Sequence, residues 1–355
     1  MKKIVICGGH HNSALVLAEA LLKKGYEVVW LGHKYSMLGD KNPSAEYREV
    51  TAKKIPFYEI KAGKFQPKYK FWENLARIPL GFWQSFWLLR QLKPDLICSF
   101  GGYLALPAAY AGWLLGIPVV THEQTTIFGL ANKLIAPLAQ KIFVTFPSSL
   151  KYFPAKKVVL TGLPVREEIF KNRKKLFHNQ NKTIYFTGGK QGSHSLNEAV
   201  FKILPQLLEK FNVIHQCGST TLFDDIKTAK QIKEKNYLAK EYFFDEEIGA
   251  VLNSADLVVS RAGAHTVYEL LRLQKPAILI PIPWSSGQEQ LENAQMLQKA
   301  GLARVLPQSD LEKGKLREEI LSMAEHLKEY QLKEEIKIPQ NATEIIIGEI
   351  EKIIG

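Results

Sequence analysis

Apolar residues along this chain fall in short continuous runs that alternate with stretches of helical spacing, and glycine-bearing turns separate the two. Ile4-Val5-Ile6-Cys7 reads as a buried strand bounded by Gly8-Gly9; the pattern then predicts a helix over 14–24 closing at Gly25 and a strand over 27–31. Residues 32–70 are polar and irregular and predict no element. Strands follow at 96–100, 117–121, 141–146 and 158–162, with a helix over about 105–115. After the Pro/Gly turn Gly162-Leu163-Pro164-Val165-Arg166 the pattern restarts: strand 183–187, Gly188-Gly189, and a helix from about 196.

Strands this uniformly apolar belong to parallel sheets covered on both faces. Strand-Gly-Gly-helix occurs twice, which predicts an α/β chain of two Rossmann-like domains facing each other across a cleft. The expected boundaries are 1–162 and 163–339, with a C-terminal helix over about 340–355 packing back on the first domain.

From Leu96 to Thr121 no residue is charged, a length that would cross a membrane. Gly101-Gly102, Pro107 and Gly116-Ile117-Pro118 cut the stretch into strand, helix and strand, so a buried unit is the expectation. No apolar stretch of signal length follows Met1-Lys2-Lys3, and no secretory leader is expected.

The chemistry gathers where strands end. Leu257-Val258-Val259 leads into Ser260-Arg261-Ala262-Gly263-Ala264, then a helix marked by Val267, Leu270 and Leu271, a strand over 276–281, and a helix beginning near Gln290 and carrying Asn293. Small residues before a helix let phosphate approach free backbone amides. Glu269, three residues past Thr266 and on the same face, suits sugar hydroxyls better than phosphate. The stretch reads as a nucleotide-sugar site. The turns Gly8-Gly9-His10-His11-Asn12-Ser13 and Gly188-Gly189-Lys190-Gln191-Gly192-Ser193 both lack G-x-G-x-x-G, which excludes a dinucleotide fingerprint; the second turn offers amides and Lys190 to a phosphate.

Charge sharpens this only slightly. In 355 residues, 47 Lys and Arg stand against 35 Asp and Glu, a balance of +12 that favours anionic partners without choosing among them. Cys7, Cys98 and Cys217 are dispersed in apolar surroundings and read as reduced core residues. Between Lys61 and Lys93, Trp72, Leu75, Phe82 and Trp83 stand among aromatics flanked by cations, the composition of a surface that docks on anionic lipid; packing against the sheet is the competing use of the same stripe. Nucleic acid is not an expected partner, since no nucleic-acid motif accompanies the stripe.

Taken in order, Gly101-Gly102-Tyr103 with Pro107-Ala108-Ala109, Gly116 to Gln124, Pro164-Val165-Arg166, the 188–193 turn, Val213 to Gly218, and Ser260 to Ala264 with Thr266 and Glu269 resemble the MurG family. That family is a GT-B group of peripheral membrane enzymes that add N-acetylglucosamine from UDP-GlcNAc to undecaprenyl-diphospho-N-acetylmuramoyl-pentapeptide. The resemblance runs from Met1 to about Asp310. It implies inverting transfer without metal or cofactor, on the cytoplasmic face of the membrane and with no transmembrane helix; the absence of an Asp-x-Asp pair agrees.

By position, the resemblance implies that Glu269 holds the ribose, that Arg261, Gly263, Ala264, His265 and Thr266 serve the diphosphate and uridine, and that Gln290 and Asn293 serve the sugar. Arg166, Gly189, Lys190, Gln191 and Gly192 go with the phosphates. Gly8, Gly9, His10, Tyr103, His122, Gln124 and Thr125 fall on the acceptor side, with His10 as the candidate base, His11 its rival and Glu123 a second candidate. The chain departs from the family at Ile6-Cys7 and Ser13 in the first loop, at Leu163, at Lys190 and at Thr125. Donor-side residues are better kept than acceptor-side ones. Two alternatives follow: transfer to another polyprenyl-linked or glycolipid acceptor, and a non-catalytic membrane-associated adaptor of the same fold.

Overall fold

The computed structural model describes residues 1–35, 43–63, 71–220, 222–285, 288–333 and 336–355; the side chains of 71–76 and 245–246 are outside that description. The chain divides into two compact units, Met1–Val165 with Lys337–Gly355, and Arg166–Ile336.

In the first unit the strands are β1 (Lys3–Cys7), β2 (Glu27–Gly32), β3 (Phe57–Glu59), β4 (Leu96–Ser99), β5 (Val119–Glu123), β6 (Lys141–Val144) and β7 (Val158–Leu160). Among the described residues they form one parallel sheet in the order β3-β2-β1-β4-β5-β6-β7. The helices are α1 (His11–Lys23), α2 (Ala45–Ala52), α3 (Phe71–Leu92), α4 (Ala105–Leu114) and α5 (Leu130–Ile135). One sheet face carries α3, α4 and α5 over Val5, Ile97, Val119 and Ile142; the other carries α1 over Ile4, Ile6, Cys98 and Phe143. The uncharged 96–121 stretch is thus strand, helix, strand in a covered sheet. No helix of the described residues is long and apolar enough to cross a membrane.

The stretch that predicted no element contains α2 and β3. Ser44 caps α2, its Oγ accepting from Tyr47 N at 3.1 Å, and β3 joins the sheet edge beside β2. With three residues in β3 and one buried side chain in α2, neither element leaves a periodic apolar signal.

In the second unit the strands are β8 (Thr183–Thr187), β9 (Asn212–Gln216), β10 (Tyr237–Lys240), β11 (Leu257–Ser260), β12 (Ala277–Leu279) and β13 (Ala303–Val305), again parallel, in the order β10-β9-β8-β11-β12-β13. Its helices are α6 (Glu168–Lys171), α7 (His194–Leu208), α8 (Asp225–Gln231), α9 (Asp245–Ser254), α10 (Ala264–Leu273), α11 (Glu289–Lys299), α12 (Gln308–Glu312) and α13 (Leu316–Glu325). The strand order reverses between β8 and β11, so the turns after these strands are neighbours at the carboxyl edge, where open parallel sheets bind ligands. The last helix, α14 (Ala342–Ile354), belongs to the first unit: Ile346, Ile347 and Ile350 are buried with Leu17 and Leu21 of α1.

Candidate active site

In the second unit two turns meet at the switch point. The turn after β8 is backed by the turn after β9 so closely that a Cβ on Gly192, at φ +83°, would lie 2.1 Å from the Cys217 carbonyl oxygen. Ser219 N donates to Lys190 O at 2.9 Å, Thr220 N to Gln191 O at 3.2 Å, and the Gln216 amide bridges Thr187 Oγ1 and Gly189 O. These bonds consume carbonyls and fix the turn's shape. The Lys190 ammonium sits over the Tyr242 ring, 5.4 Å from its centre.

The turn after β11 ends at Gly263, whose extended backbone starts α10 with no side-chain cap. The first amides of the helix, at Ala264, His265 and Thr266, therefore keep the partial positive charge that favours an anion. One turn further, Glu269 is half-buried; burial pushes its carboxyl up to about 7, and the Arg166 guanidinium pulls in the opposite direction. A carboxylate so placed is costly until hydroxyl donors reach it.

Three of the residues expected at the ligand are used inside the protein. Arg261 spends its guanidinium on Ser193, Ser195, Ile280 and Gln308. Asn293 is fully buried and donates from Nδ2 to Ala262 O at 3.3 Å, bracing the β11 turn, while Gln290 Oε1 accepts from Ile282 N at 3.1 Å. Their described bonds shape the turns around a ligand position. Ser193, Ser195, Gln216 and Gln308 complete this arrangement; Ser193 and Gln216 lie in motifs the sequence showed, whereas Ser195 and Gln308 were not legible, Gln308 lying 47 residues from Arg261 with no local pattern to connect them.

In the first unit the turns after β1 and β4 are pressed together. Gly9 N donates to Gly101 O at 2.9 Å, and a Cβ on Gly8, at φ +136°, would lie 2.8 Å from the same oxygen. His10 follows at the start of α1, half-buried; burial lowers its pKa, Glu123 opposes that and His11 adds to it. Neutral imidazole is the form that results. His11 lies 3.5 Å from Glu49. Tyr103 stands against His33 with ring centres 5.9 Å apart, its phenol pushed up by burial.

His122, Glu123 and Gln124 are all buried. Glu123 accepts from Thr125 N and Oγ1, Gly129 N and Asn132 Nδ2 at 2.9–3.2 Å, so its carboxylate organises its own loop. His122 donates from Nε2 to Gly162 O at 3.0 Å, and burial lowers its pKa to about 4. Its Nδ1 and both polar atoms of the Gln124 amide have no partner among the described residues. Among the described residues no three His, Cys, Asp or Glu side chains converge as a metal ion requires.

The aromatic stripe splits by helical spacing. Phe82 and Phe86 pack on the core, whereas Trp83 and Trp87 are 56% and 57% exposed. Trp72 and Leu75 lie outside the described residues as far as their side chains are concerned. Trp113 and Leu114 of α4 and Leu130 and Leu134 of α5 are also exposed, on helices packed against this face; Tyr110 OH donates to Leu134 O at 3.3 Å. Sequence reading missed these. For Trp113 and Leu114 the signal was the charge-free run itself, which core packing alone explained; Leu130 and Leu134 lie outside that run.

Residues 7–144 match the glycosyltransferase family 28 N-terminal domain and residues 183–346 its C-terminal domain. The crystal structure of Acinetobacter baumannii MurG superposes with a TM-score of 0.71 at 26% identity, covering 99% of this chain and 100% of that one. A UDP-N-acetylglucosamine–N-acetylmuramyl-(pentapeptide) pyrophosphoryl-undecaprenol N-acetylglucosamine transferase of Clostridium kluyveri is 32% identical over 367 residues, spanning 99% of each chain. This chain belongs to the MurG family. The MurG-family enzyme of the same name from Clostridium botulinum is 36% identical over 325 residues, 88% of each chain. Membership in the MurG family makes the chain a glycosyltransferase of two Rossmann-like domains.

Proposed function

We propose that the chain transfers N-acetylglucosamine, with inversion, from UDP-GlcNAc to an undecaprenyl-diphospho-linked N-acetylmuramoyl-pentapeptide, the reaction for which its relatives are named. The observation that carries the donor half is Glu269, one turn past an uncapped helix start at the switch point of the second sheet. Ribose hydroxyls donate to Glu269. The diphosphate lies against the start of α10 and the 188–193 turn, with Lys190 and Arg166 offsetting its charge; His265 and Thr266 line the same start. Gln290 and Asn293 shape the sugar end.

On the acceptor side, neutral His10 takes the proton from the attacking hydroxyl. The oxygen forms its bond to the anomeric carbon as the bond to the diphosphate breaks, and UDP leaves with the electron pair. Glu123 acts by holding the loop that carries Gln124 and Thr125.

The membrane half rests on charge and shape together. The first unit holds 23 Lys and Arg against 12 Asp and Glu, a balance of +11, and the second holds 24 against 23. Trp83, Trp87, Trp113 and Leu114 give that unit an exposed apolar surface. An anionic bilayer would bind both features, at about 1 kcal/mol for each Lys or Arg near the surface and about 1.5 to 3 kcal/mol for each large side chain fully buried in it. The protein would thereby work as a peripheral enzyme on the leaflet facing the cytoplasm.

Calorimetry of UDP binding tests the donor assignment. Glu269→Ala is expected to fold and to lose about 1.5 to 3 kcal/mol of affinity, the range for a charged acceptor of hydrogen bonds. Unchanged affinity in a folded variant removes the nucleotide from α10.

A further inference from the structure

We propose that Arg261 governs diphosphate affinity without touching the donor: it is a buried positioning residue that holds a serine away from the start of α7 and leaves a positive charge for the incoming anion to balance. The inference rests on the second unit being the UDP-sugar site.

Arg261 is 6% exposed. Nε and Nη2 donate to Ser193 Oγ at 3.0 and 2.8 Å, Nη2 also to Ser195 Oγ at 2.8 Å, and Nη1 to Ile280 O and Gln308 Oε1 at 3.1 and 2.8 Å. Five bonds use the five N–H donors that a guanidinium has. None is left for a ligand, so direct contact is not its role.

Every one of those acceptors is neutral. Among the described residues the one carboxylate in this network, Glu312, is reached through Gln308, whose Nε2 donates to it at 2.9 Å. Burial alone lowers the pKa of Arg261, to about 10, so the group stays charged at neutral pH. A buried charge without an adjacent counter-ion is unfavourable by itself and favours any anion that arrives nearby.

The serines supply the second observation. Ser193 occupies the N-cap position of α7, where a serine oxygen ordinarily accepts from the first-turn amides. Here it makes no such bond, because its Oγ accepts from Arg261 instead. The start of a 15-residue helix is thereby left without a side-chain cap, directly after the glycine turn. In Arg261→Met the hydroxyl is free to fall back on α7 and compete with phosphate.

Titration calorimetry of the full chain with UDP and with uridine separates the diphosphate from the nucleoside. Arg261→Met is expected to lower the UDP-to-uridine affinity ratio at least tenfold while uridine binds within twofold of wild type. Adding Ser193→Ala to that variant should restore part of the ratio, since the competing cap is gone. A wild-type ratio in a uridine-binding Arg261→Met protein overturns the proposal and makes Arg261 a strut only. Should Arg261→Met not fold, Arg261→Lys decides: it keeps the charge but cannot hold both serines, and its ratio must fall at least threefold, a wild-type ratio again overturning the proposal. If the wild-type chain binds neither UDP nor uridine, the donor-site reading itself fails, an outcome distinct from all of these.

Discussion

The Glu269 carboxyl is lifted by burial to about 7 from an ordinary value of 4.5, and the Arg166 guanidinium pulls it back toward ionisation. Between those two values the folded protein holds a proton that the unfolded chain has released. Stability therefore falls as pH rises through that window, and the penalty is complete above pH 7, where it amounts to about 3 kcal/mol at 1.36 kcal/mol per unit. Glu269→Gln is expected to raise the melting temperature of the unliganded protein at pH 8, with little change at pH 4.5, while weakening UDP binding. Thermal denaturation at both pH values checks this; equal shifts at both would remove the charge from the explanation.

His10 is held below the ordinary imidazole range by burial, against the pull of Glu123. As a base it is active when neutral, so kcat/KM should decline on acidification only below about pH 6.5, the unperturbed imidazole value. His10→Ala is expected to lower kcat by about 10² to 10⁴-fold with UDP affinity kept. His11 pairs with Glu49, and His11→Ala should change kcat less than about threefold under the same assay. Loss of activity in the His11 variant alone would transfer the role.

Most of the sheet strands and the two glycine turns were legible because parallel strands are continuous apolar runs ended by small residues. Glu269 was legible too, since helical spacing alone sets it one turn past Thr266. What Arg261, Asn293 and Gln290 touch was not. Their partners Ser193, Gln308, Ala262 and Ile282 are brought close by the fold, and no spacing along the chain distinguishes a polar group aimed at a ligand from one bracing a turn. The stripe failed differently. Periodicity could assign Phe82 and Trp83 to different faces of α3, but which face the sheet covers is decided by the fold.

Trp83, Trp87 and Trp113 are more than half exposed on a unit carrying nearly all the net charge. Changing the three to serine is expected to abolish sedimentation with anionic vesicles at low salt without lowering the melting temperature. Wild-type binding should weaken as salt rises from about 0.05 to 0.5 M, as screening requires. Activity on a short-chain acceptor in detergent should survive the substitution. Unaltered vesicle binding would place the docking surface elsewhere.

Transfer itself is the most direct test. The chain is incubated with radiolabelled UDP-GlcNAc and a panel of prenyl-diphospho acceptors that differ only in the attached sugar and peptide, and products are separated from free donor. The expected result is label on the N-acetylmuramoyl-pentapeptide acceptor, reduced about 10- to 150-fold with Glu269→Ala at limiting donor, as about 1.5 to 3 kcal/mol of lost affinity requires, and at least about 10²-fold with His10→Ala. Label on no acceptor by a folded, UDP-binding protein, or on every panel member except that one, would contradict the account.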